Sequence, residues 1–374
     1  MPRPVKVLIL LANLAGGGAE RTVVRLMENI DREKFQPKVG ILWSEGPFLE
    51  RVHPDDLLQA HLPKLGCTSY PRLVIDILKA HNRMLREFQP DVVLSLTVSM
   101  NIAAHFALTF YGRKHTGWIL REGNNTLRML KDDVSNPILA KLRQWITGVT
   151  YRGADKILAI SQGLGQGLAH NFQVDPSKVQ VIYNPVETQA VERTPAHPPM
   201  ILSVGRLVYQ KGFDLLLEAF AQLNHPTAKL VILGEGKERE SLTEKIQQLG
   251  LQDRVEMPGF CNDVSQYFRK ATAFVLSSRW EGFGCVVIEA MACGLPVVVT
   301  NCDYGPPEIV SHEVNGLVVE HSSAEALTQG LERIINDEEL AQHLGEAAVQ
   351  RAEEFSVQEI TRQYEALLFS VVKS

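Results

Sequence analysis

The amino-acid sequence predicts an α/β protein with two Rossmann-like, doubly wound domains that face a central cleft. The chain has 374 residues, which is long for a single hydrophobic core. Short apolar segments alternate with amphipathic helical segments in both halves. A proline-rich stretch without periodicity, residues 186–200, separates the halves and predicts a linker. We therefore expect an N-terminal domain over residues 1–190, a C-terminal domain over residues 200–355 and a final helix over residues 356–374.

The N-terminal half alternates between buried strands and helices. The predicted strands cover residues 5–11, 39–43, 92–96, 117–120, 157–160 and 179–183. The predicted helices cover residues 20–30, 74–88 and 101–110. Since parallel neighbouring strands need a crossover connection, this order predicts one parallel sheet with helices on both faces.

The second half repeats the alternation after the linker. Its predicted strands cover residues 200–204, 229–233, 255–257, 273–277 and 296–300. Its predicted helices cover residues 213–223, 238–249, 264–271 and 284–293. Doubly wound sheets bind ligands beyond the carboxyl ends of their strands, so we expect the ligand in the cleft between the domains.

Composition and cysteine usage predict a cytoplasmic globular protein. The chain is 45% hydrophobic and 22% charged, as in soluble globular proteins. No apolar stretch approaches the roughly 20 residues that span a bilayer. The five cysteines are odd in number and form no C-x-x-C pair. This pattern predicts reduced thiols rather than a zinc site or a disulfide framework.

The charge is unevenly distributed along the chain. The formal net charge is −5, with +6 in residues 1–190 and −11 in the remainder. A basic N-terminal half suits an anionic partner, although a chance imbalance of solvated charge explains it equally well. Residues 137–151 are amphipathic and contain Lys141, Arg143 and Trp145. They predict either peripheral contact with an anionic membrane surface, on the inner face of the cell membrane, or a helix with its apolar face in the core. We expect no nucleic-acid partner.

The segment S-S-R-W-E-G-F-G-C-V-V-I-E-A-M-A-C-G-L-P-V-V, residues 277–298, carries the strongest functional signal. It predicts a strand end, a glycine-containing loop and a helix whose first backbone N–H groups, at Phe283, Gly284 and Cys285, bind an anion. Two carboxylates, Glu281 and Glu289, flank this start. Carboxylates bind hydroxyl groups rather than phosphates, so the ligand is a phosphate between two polyols. A nucleotide sugar has this chemistry.

Two cations, Arg206 and Lys211, follow the first strand of the second domain. They can neutralise a diphosphate and stabilise the charge that grows on it as the sugar–phosphate bond breaks. The guanidinium suits a bidentate contact, and the ammonium suits a point-charge contact. Because the sequence contains no D-x-D pair and these cations supply positive charge, we expect neither a metal nor a cofactor.

Glycines mark two further candidate sites. Gly16, Gly17 and Gly18 follow the first strand, but the dinucleotide pattern G-x-G-x-x-G fails at Arg21. They predict a donor-binding loop, with a turn that binds no ligand as the alternative. Gly259 and Phe260, at a strand end, can offer backbone groups to a nucleobase, although P-G-F is also an ordinary turn.

Together these motifs resemble family 4 retaining glycosyltransferases of GT-B fold. Besides the E-x7-E element, the chain has family motifs in order over most of its length: G-G-G-A-E (16–20), A-I-S-x-G-L (159–164), Y-N-P-V (183–186), S-V-G-R-L-x3-K-G (203–212), L-G-E-G (233–236) and P-G-F (258–260). The resemblance implies that the final helix crosses back to the N-terminal domain. It also assigns Glu281 to the hexose hydroxyls, Glu289 to the ribose hydroxyls, and Arg206 and Lys211 to the diphosphate.

The activity implied by the resemblance is hexose transfer from a nucleotide sugar, UDP-linked in our hypothesis, to a hydroxyl of a lipid-linked or cell-surface saccharide. Many family members have a histidine after a strand of the N-terminal domain, where this chain has W-I-L-R-E-G-N-N, residues 118–125. Arg121 and Asn124 are therefore our acceptor-binding candidates, and His105 is interpreted as a core residue. A nucleotide-sugar 2-epimerase and an inactive nucleotide-sugar-binding subunit remain the alternatives.

Overall fold

The computed structural model describes residues 3–63, 70–112, 114–123, 137–188, 191–261 and 263–373. The chain forms two compact units. Unit 1 comprises Met1–Pro185 together with Val357–Ser374, and unit 2 comprises Val186–Ser356. Both contain a parallel β-sheet with alternating helices, so the fold class predicted from the sequence is confirmed.

Unit 1 contains a seven-stranded parallel sheet in the order β3-β2-β1-β4-β5-β6-β7. The strands are β1 (Val5–Leu11), β2 (Phe35–Ile41), β3 (Leu57–Gln59), β4 (Val92–Leu96), β5 (Gly117–Glu122), β6 (Lys156–Ala159) and β7 (Val179–Val181). The helices are α1 (Gly18–Asn29), α2 (Tyr70–Phe88), α3 (Val98–Tyr111), α4 (Pro137–Gly153), α5 (Gln162–Phe172) and α13 (Val357–Ser370). The central strands are apolar because helices cover both faces of the sheet.

The C-terminal helix α13 packs on unit 1. The ring centroids of Phe369 and Phe35 lie 4.5 Å apart. The backbone N–H of Asp31 donates to the Glu365 carboxylate at 2.8 Å. Aromatic packing and this hydrogen bond hold the end of the chain against the N-terminal sheet, in agreement with the crossing helix expected from the resemblance.

Unit 2 contains a six-stranded parallel sheet in the order β10-β9-β8-β11-β12-β13. Its strands are β8 (Met200–Val204), β9 (Lys229–Leu233), β10 (Val255–Gly259), β11 (Ala273–Leu276), β12 (Val297–Thr300) and β13 (Leu317–Val319). Its helices are α6 (Phe213–Gln222), α7 (Arg239–Gln248), α8 (Ser265–Lys270), α9 (Cys285–Ala292), α10 (Pro306–Ile309), α11 (Ala324–Asn336) and α12 (Glu338–Glu353). One buried cluster, which includes Phe213, Phe220 and Val275, joins the sheet to α6, α7 and α11.

The proline-rich segment predicted as a linker packs on unit 2. The Arg193 guanidinium donates to the carbonyls of Gly294 and Ala271, both at 2.9 Å. The backbone N–H of Thr194 donates to the Arg269 carbonyl at 2.9 Å. These bonds replace the regular pairing that prolines prevent, so the segment is fixed although it lacks periodicity.

Candidate active site

The candidate active site lies in unit 2, where three neighbouring strands end. Residues 205–212 follow β8, residues 277–284 follow β11, and residues 301–305 follow β12. These strands are adjacent in the sheet and parallel. Their carboxyl ends therefore bring the three loops to one edge of the sheet, where doubly wound folds bind ligands.

The loop after β8 is fixed against the loop after β11 by backbone contacts. Gly212 has φ of +63°, and a Cβ at this position would lie 2.2 Å from the Ser277 carbonyl oxygen. The Ser277 hydroxyl donates to the Lys211 carbonyl at 2.9 Å. The backbone N–H of Arg279 donates to the Gln210 carbonyl at 2.8 Å. Glycine is required at position 212 because both its conformation and its close contact exclude a side chain.

Lys211 and Glu281 form an ion pair at the centre of this arrangement. The Lys211 ammonium donates to Glu281 Oε1 at 2.5 Å, and the Ser278 hydroxyl donates to the same oxygen at 2.6 Å. The side chains of Lys211 and Glu281 are only 14% and 8% exposed. Since removal of a charge from water is costly, each ion stabilises the other. The structure therefore brings together two residues that the sequence assigned to separate contacts.

Substitution of Gly212 tests how the lysine loop is held. We expect Gly212→Ala to lower the free energy of unfolding by about 3 kcal/mol or more, because the left-handed conformation and the close contact with Ser277 both disfavour alanine. Gly250→Ala is a matched control, since Gly250 has φ of +67° and a Cβ added there would meet nothing within 4 Å. We expect the control to cost about 1–2 kcal/mol. Chemical denaturation of both variants measures this, and equal costs would contradict the role of the contact.

Arg206 lies on the same loop, and its side chain is exposed. The loop rests on two glycines of the L-G-E-G motif. A Cβ at Gly234 would lie 1.9 Å from the Gly205 carbonyl oxygen, and a Cβ at Gly236 would lie 2.2 Å from the Leu207 carbonyl oxygen. The motif therefore allows the loops after β8 and β9 to touch, and it supports the segment that presents Arg206.

Helix α9 begins at the edge of the site. Gly284 precedes its first residue with φ of +102°. Phe283 has a buried side chain whose ring lies 5.7 Å from that of Phe355. Gly305 approaches so closely that a Cβ there would lie 2.2 Å from the Phe283 carbonyl oxygen. Because the Phe283 ring is in the core, only the backbone of this residue can face a ligand. The dipole of α9 favours an anion at this end.

Two buried thiols lie near the two glutamates. Burial, and then the Glu281 charge, raises the pKa of the Cys302 thiol to about 12. Burial, and then the Glu289 charge, raises the pKa of the Cys293 thiol to about 11. Both thiols are therefore protonated at neutral pH and act as packing groups. Glu289 itself is half-buried on the second turn of α9.

Arg279 and Asp214 support the site, although the sequence motifs do not identify them. The Arg279 guanidinium donates to both Asp214 carboxylate oxygens, at 2.8 and 2.7 Å, and lies 4.0 Å from the centre of the Tyr209 ring. Burial alone would raise the pKa of Asp214, but the hydrogen bonds and charge of Arg279 hold it below its ordinary value. The position of Arg279, two residues before Glu281, is the feature of the sequence that could have identified it.

The two residues predicted to contact the nucleobase lie at the end of β10. Gly259 has φ of +101°, and a Cβ there would lie 2.8 Å from Glu235 Oε1. Arg239 donates to both carboxylate oxygens of Glu235, at 2.7 and 2.8 Å. The Phe260 side chain is exposed. This arrangement provides an aromatic ring and a charged pair beside the Gly259 backbone.

The glycine run of unit 1 forms the start of α1. Gly16 has φ of +99°, Gly17 is the residue before the helix, and Gly18 is its first residue. A Cβ at Gly17 would lie 2.5 Å from Glu20 Oε2, whereas a Cβ at Gly18 would have nothing within 4 Å. The run thus follows β1, which ends at Leu11, and opens α1, as the sequence predicts. Its contact with a donor stays a prediction.

Arg121 is buried in unit 1, and Asn124 lies outside the described residues. The Arg121 guanidinium donates to the Tyr364 hydroxyl at 3.0 Å and to the Asn184 side-chain oxygen. It therefore connects β5 to α13 and to the Y-N-P-V motif. Its acceptor contact stays a prediction. His105 packs beside Trp118 and Phe106.

The described part of the chain contains no group of three or more His, Cys, Asp or Glu residues that could hold a metal ion. The four described cysteines, Cys261, Cys285, Cys293 and Cys302, form no disulfide with one another. Among the described helices, none combines the length and hydropathy needed to cross a bilayer.

Comparisons with known proteins place this geometry in a family. The model described as Glycosyltransferase Family 4 matches residues 16–190, and the model described as Glycosyl transferases group 1 matches residues 187–351. The N-acetylgalactosamine-N,N'-diacetylbacillosaminyl-diphospho-undecaprenol 4-alpha-N-acetylgalactosaminyltransferase of Campylobacter jejuni is 30% identical over 371 residues, covering 96% of this chain and 97% of the relative. The lipopolysaccharide core biosynthesis glycosyltransferase LpsE of Rhizobium meliloti is 33% identical over 241 residues, covering 62% of this chain and 69% of that protein.

Solved structures show the same fold. Anabaena Alr3699/HepE in complex with UDP and glucose has a TM-score of 0.80 and 21% identity, covering 98% of this chain and all of that one (100%). The lipopolysaccharide outer core galactosyltransferase WaaB has a TM-score of 0.78 and 22% identity, covering 98% of this chain and 99% of that one. With the paired parallel sheets and the family matches along the sequence, this chain is a member of glycosyltransferase family 4 and has the GT-B fold.

Proposed function

We propose that this glycosyltransferase moves a hexose from a UDP-sugar to a hydroxyl of a lipid-linked or cell-surface saccharide, with retention at the sugar carbon and without a metal. The observation that carries the proposal is the Lys211–Glu281 pair, 2.5 Å apart, at the strand ends beside the start of α9. This pair supports the proposal because a cation, and a carboxylate that can accept from hydroxyl groups, lie next to a helix start whose dipole favours an anion. The UDP complexes of Anabaena Alr3699/HepE support the choice of base.

The donor is held through its charges and hydroxyls. Arg206 and Lys211 neutralise the diphosphate, and their attraction grows as negative charge accumulates on the leaving group. The backbone of Phe283, Gly284 and Cys285 binds a phosphate oxygen. The carboxylates complete the donor site, since Glu281 accepts from the hexose hydroxyls and Glu289 from the ribose hydroxyls. The proposal also keeps the other donor-binding residues predicted from the sequence: Gly16, Gly17, Gly18, Gly259 and Phe260.

Retention follows if the acceptor attacks the face that the diphosphate leaves. The bond from the sugar carbon to the phosphate oxygen breaks, the bond to the acceptor oxygen forms, and the acceptor proton goes to the departing phosphate oxygen. No protein base is needed. The name of the Campylobacter relative describes an alpha linkage, and common UDP-hexoses carry the sugar in alpha linkage, which supports retention.

The names of two relatives support the acceptor class. The Campylobacter protein is named for a diphospho-undecaprenol saccharide, and the Rhizobium protein for the lipopolysaccharide core. Both describe saccharides attached to lipids. The proposal keeps Arg121 and Asn124 as acceptor-side residues. For Arg121 the role is indirect, since its guanidinium is buried against Tyr364 and Asn184.

A thermal-shift experiment tests the donor. At a UDP concentration of about 100 times Kd, binding stabilises the folded protein by about 2.7 kcal/mol, which corresponds to a rise in Tm of about 5–10 °C. We expect this rise with UDP and one UDP-hexose, smaller rises with GDP and ADP, and the same rise in excess EDTA. No rise with any UDP compound would contradict the donor assignment. UDP release that requires no acceptor and yields an epimer would instead favour the epimerase.

A further inference from the structure

Exposed large apolar side chains are concentrated on two neighbouring helices of unit 1. Helices α3 and α4 pack against each other. Phe110 is 71% exposed, Ile138 is 76% exposed and Trp145 is 63% exposed. The apolar face comprises six such side chains: Phe106, Phe110, Ile138, Leu139, Leu142 and Trp145. So many exposed apolar side chains on two packed helices are uncommon on a soluble protein unless the surface binds something.

The α4 part of the apolar face is not the surface that packs on the core. Ile138, Leu142 and Trp145 are spaced four and three residues apart, so they share one side of the helix. Thr147 and Tyr151 are buried and lie on the opposite side. Helix α4 therefore packs on the rest of unit 1 through one side and leaves an apolar side exposed. Both interpretations of its sequence thus apply in part: one side lies in the core, and the other is available for a membrane surface.

A basic stripe runs along the neighbouring helix α2, which packs against α3. Arg72, Lys79, Arg83 and Arg86 are all exposed. Their spacing of seven, four and three residues places them on one side of the helix. Asp76 and Glu87 lie on the same side, so four cations against two carboxylates leave the stripe with a net charge of +2. Lys79, Arg83 and Arg86 also line a shallow groove of about 410 Å³ together with Ile75, Leu78 and Asn82. Helices α3 and α4 contain no Asp or Glu.

We propose that the apolar face of α3 and α4, together with the basic stripe of α2, docks on a bilayer that contains anionic phospholipids. The inference rests on the proposed function in one respect, since a lipid-linked acceptor lies at such a bilayer. The apolar face enters the boundary between headgroups and acyl chains, and the basic stripe contacts lipid phosphates. Tryptophan is suited to this boundary because its ring is apolar with one polar group.

Charge argues for a bilayer over a second copy of the chain. In a two-fold symmetric dimer the same surface meets itself. Two basic stripes would then face each other across an apolar contact, and like charges repel. An anionic bilayer instead attracts the net positive charge of the stripe, so both parts of the surface are complementary to the same partner.

Vesicle co-sedimentation tests the proposal. Vesicles of phosphatidylcholine alone are compared with vesicles that contain about 30% phosphatidylglycerol, at low and at high salt. We expect binding to the anionic vesicles that weakens with salt. Each basic residue near an anionic surface contributes about fivefold in binding, so Lys79→Ala with Arg86→Ala should weaken binding about 25-fold. The matched control is Arg269→Ala with Lys270→Ala, which removes the same two charges from the exposed end of α8 in unit 2.

Trp145→Ala tests the apolar part of the surface. We expect it to weaken vesicle binding on the order of tenfold and to remove most of the blue shift in tryptophan fluorescence that anionic vesicles cause. Val314→Ala, at an exposed apolar residue of unit 2, should change neither signal.

Three results would overturn the docking surface: equal binding to neutral and anionic vesicles, equal losses in the variants and their controls, or a dimer in light scattering that Trp145→Ala dissociates. Sedimentation needs neither donor nor acceptor. The inference can therefore fail while UDP still raises Tm, and the proposed function can fail while the vesicles still bind.

Discussion

Glu281→Ala is expected to lower kcat/KM for sugar transfer by about 10²–10³-fold, while Kd for UDP changes by less than about tenfold. Glu281 has two tasks in the proposed mechanism. It binds hexose hydroxyls, and it holds the Lys211 ammonium at 2.5 Å. UDP lacks the hexose, so it should lose little affinity. Steady-state kinetics with a UDP-hexose and isothermal titration with UDP measure the two quantities separately.

Unit 2 provides a matched control for this experiment. Glu218 and Lys245 form another Glu–Lys ion pair, which lies on α6 and α7 and is more exposed. Glu218→Ala should leave kcat/KM within about twofold, because exposed ion pairs contribute little. Glu281→Gln keeps the shape of the side chain but removes its charge, so a strong loss in this variant assigns the effect to the charge. Full activity of Glu281→Ala, measured below its Tm, would refute the role of Glu281 in transfer.

The strands show how far the fold can be predicted from the sequence. Strands with a long apolar run, such as β1, are predicted to the residue, because burial on both faces leaves a hydrophobic run, here over residues 7–11. The sequence places β2 at residues 39–43, but the strand begins at Phe35 and includes Pro37. Proline is tolerated there because β3 pairs only with Val39, Gly40 and Ile41. On the β3 side of β2, no strand therefore pairs with Pro37. The length of β3 is a property of the tertiary structure, so the local sequence pattern does not reveal that proline is tolerated here.

The end of β5 is predicted too early for a related reason. The sequence predicts its end at Leu120 because two charged residues follow. Arg121 and Glu122 nevertheless continue the strand and are buried. Glu122 accepts hydrogen bonds from the Tyr151 hydroxyl and from the Gly123 N–H. Buried charges are tolerated when partners from distant segments satisfy them, and such partners are not visible in a local pattern.

The sequence predicts which residues belong to the candidate site better than it predicts which of them are in contact. The order of the motifs identifies Lys211 and Glu281. The charge that develops as the sugar–phosphate bond breaks explains why a cation such as Lys211 is needed. Seventy positions separate them in the chain, so their direct pairing depends on β8 and β11 being neighbours in the sheet. Ser278, which donates to the same carboxylate oxygen, lies three residues before Glu281 in the same loop. The spatial neighbours of a catalytic residue are set by sheet order, which a single sequence does not specify.

Lys211→Ala is expected to lower kcat by about 10³-fold and Arg206→Ala by about 10²-fold. Both cations oppose the charge that develops on the leaving diphosphate, but their environments differ. Lys211 is nearly buried, so its electrostatic effect is screened less by water than that of the exposed Arg206. The two variants should therefore also differ in stability. Arg206→Ala should leave Tm almost unchanged, whereas Lys211→Ala leaves a buried carboxylate without its cation and should lower Tm by several degrees.

The comparison between the two cations depends on controls that separate charge from shape. Arg206→Lys keeps the charge but loses the planar fork, and it should recover only part of the activity if the contact is bidentate. Lys211→Met keeps the length of the side chain, so its loss of kcat reports the ammonium alone. Kinetics and thermal unfolding of all four variants decide the outcome. If Lys211→Met retained kcat within about fivefold, the ion pair with Glu281 would serve stability, and the exposed Arg206 would be left as the principal cation for the leaving group.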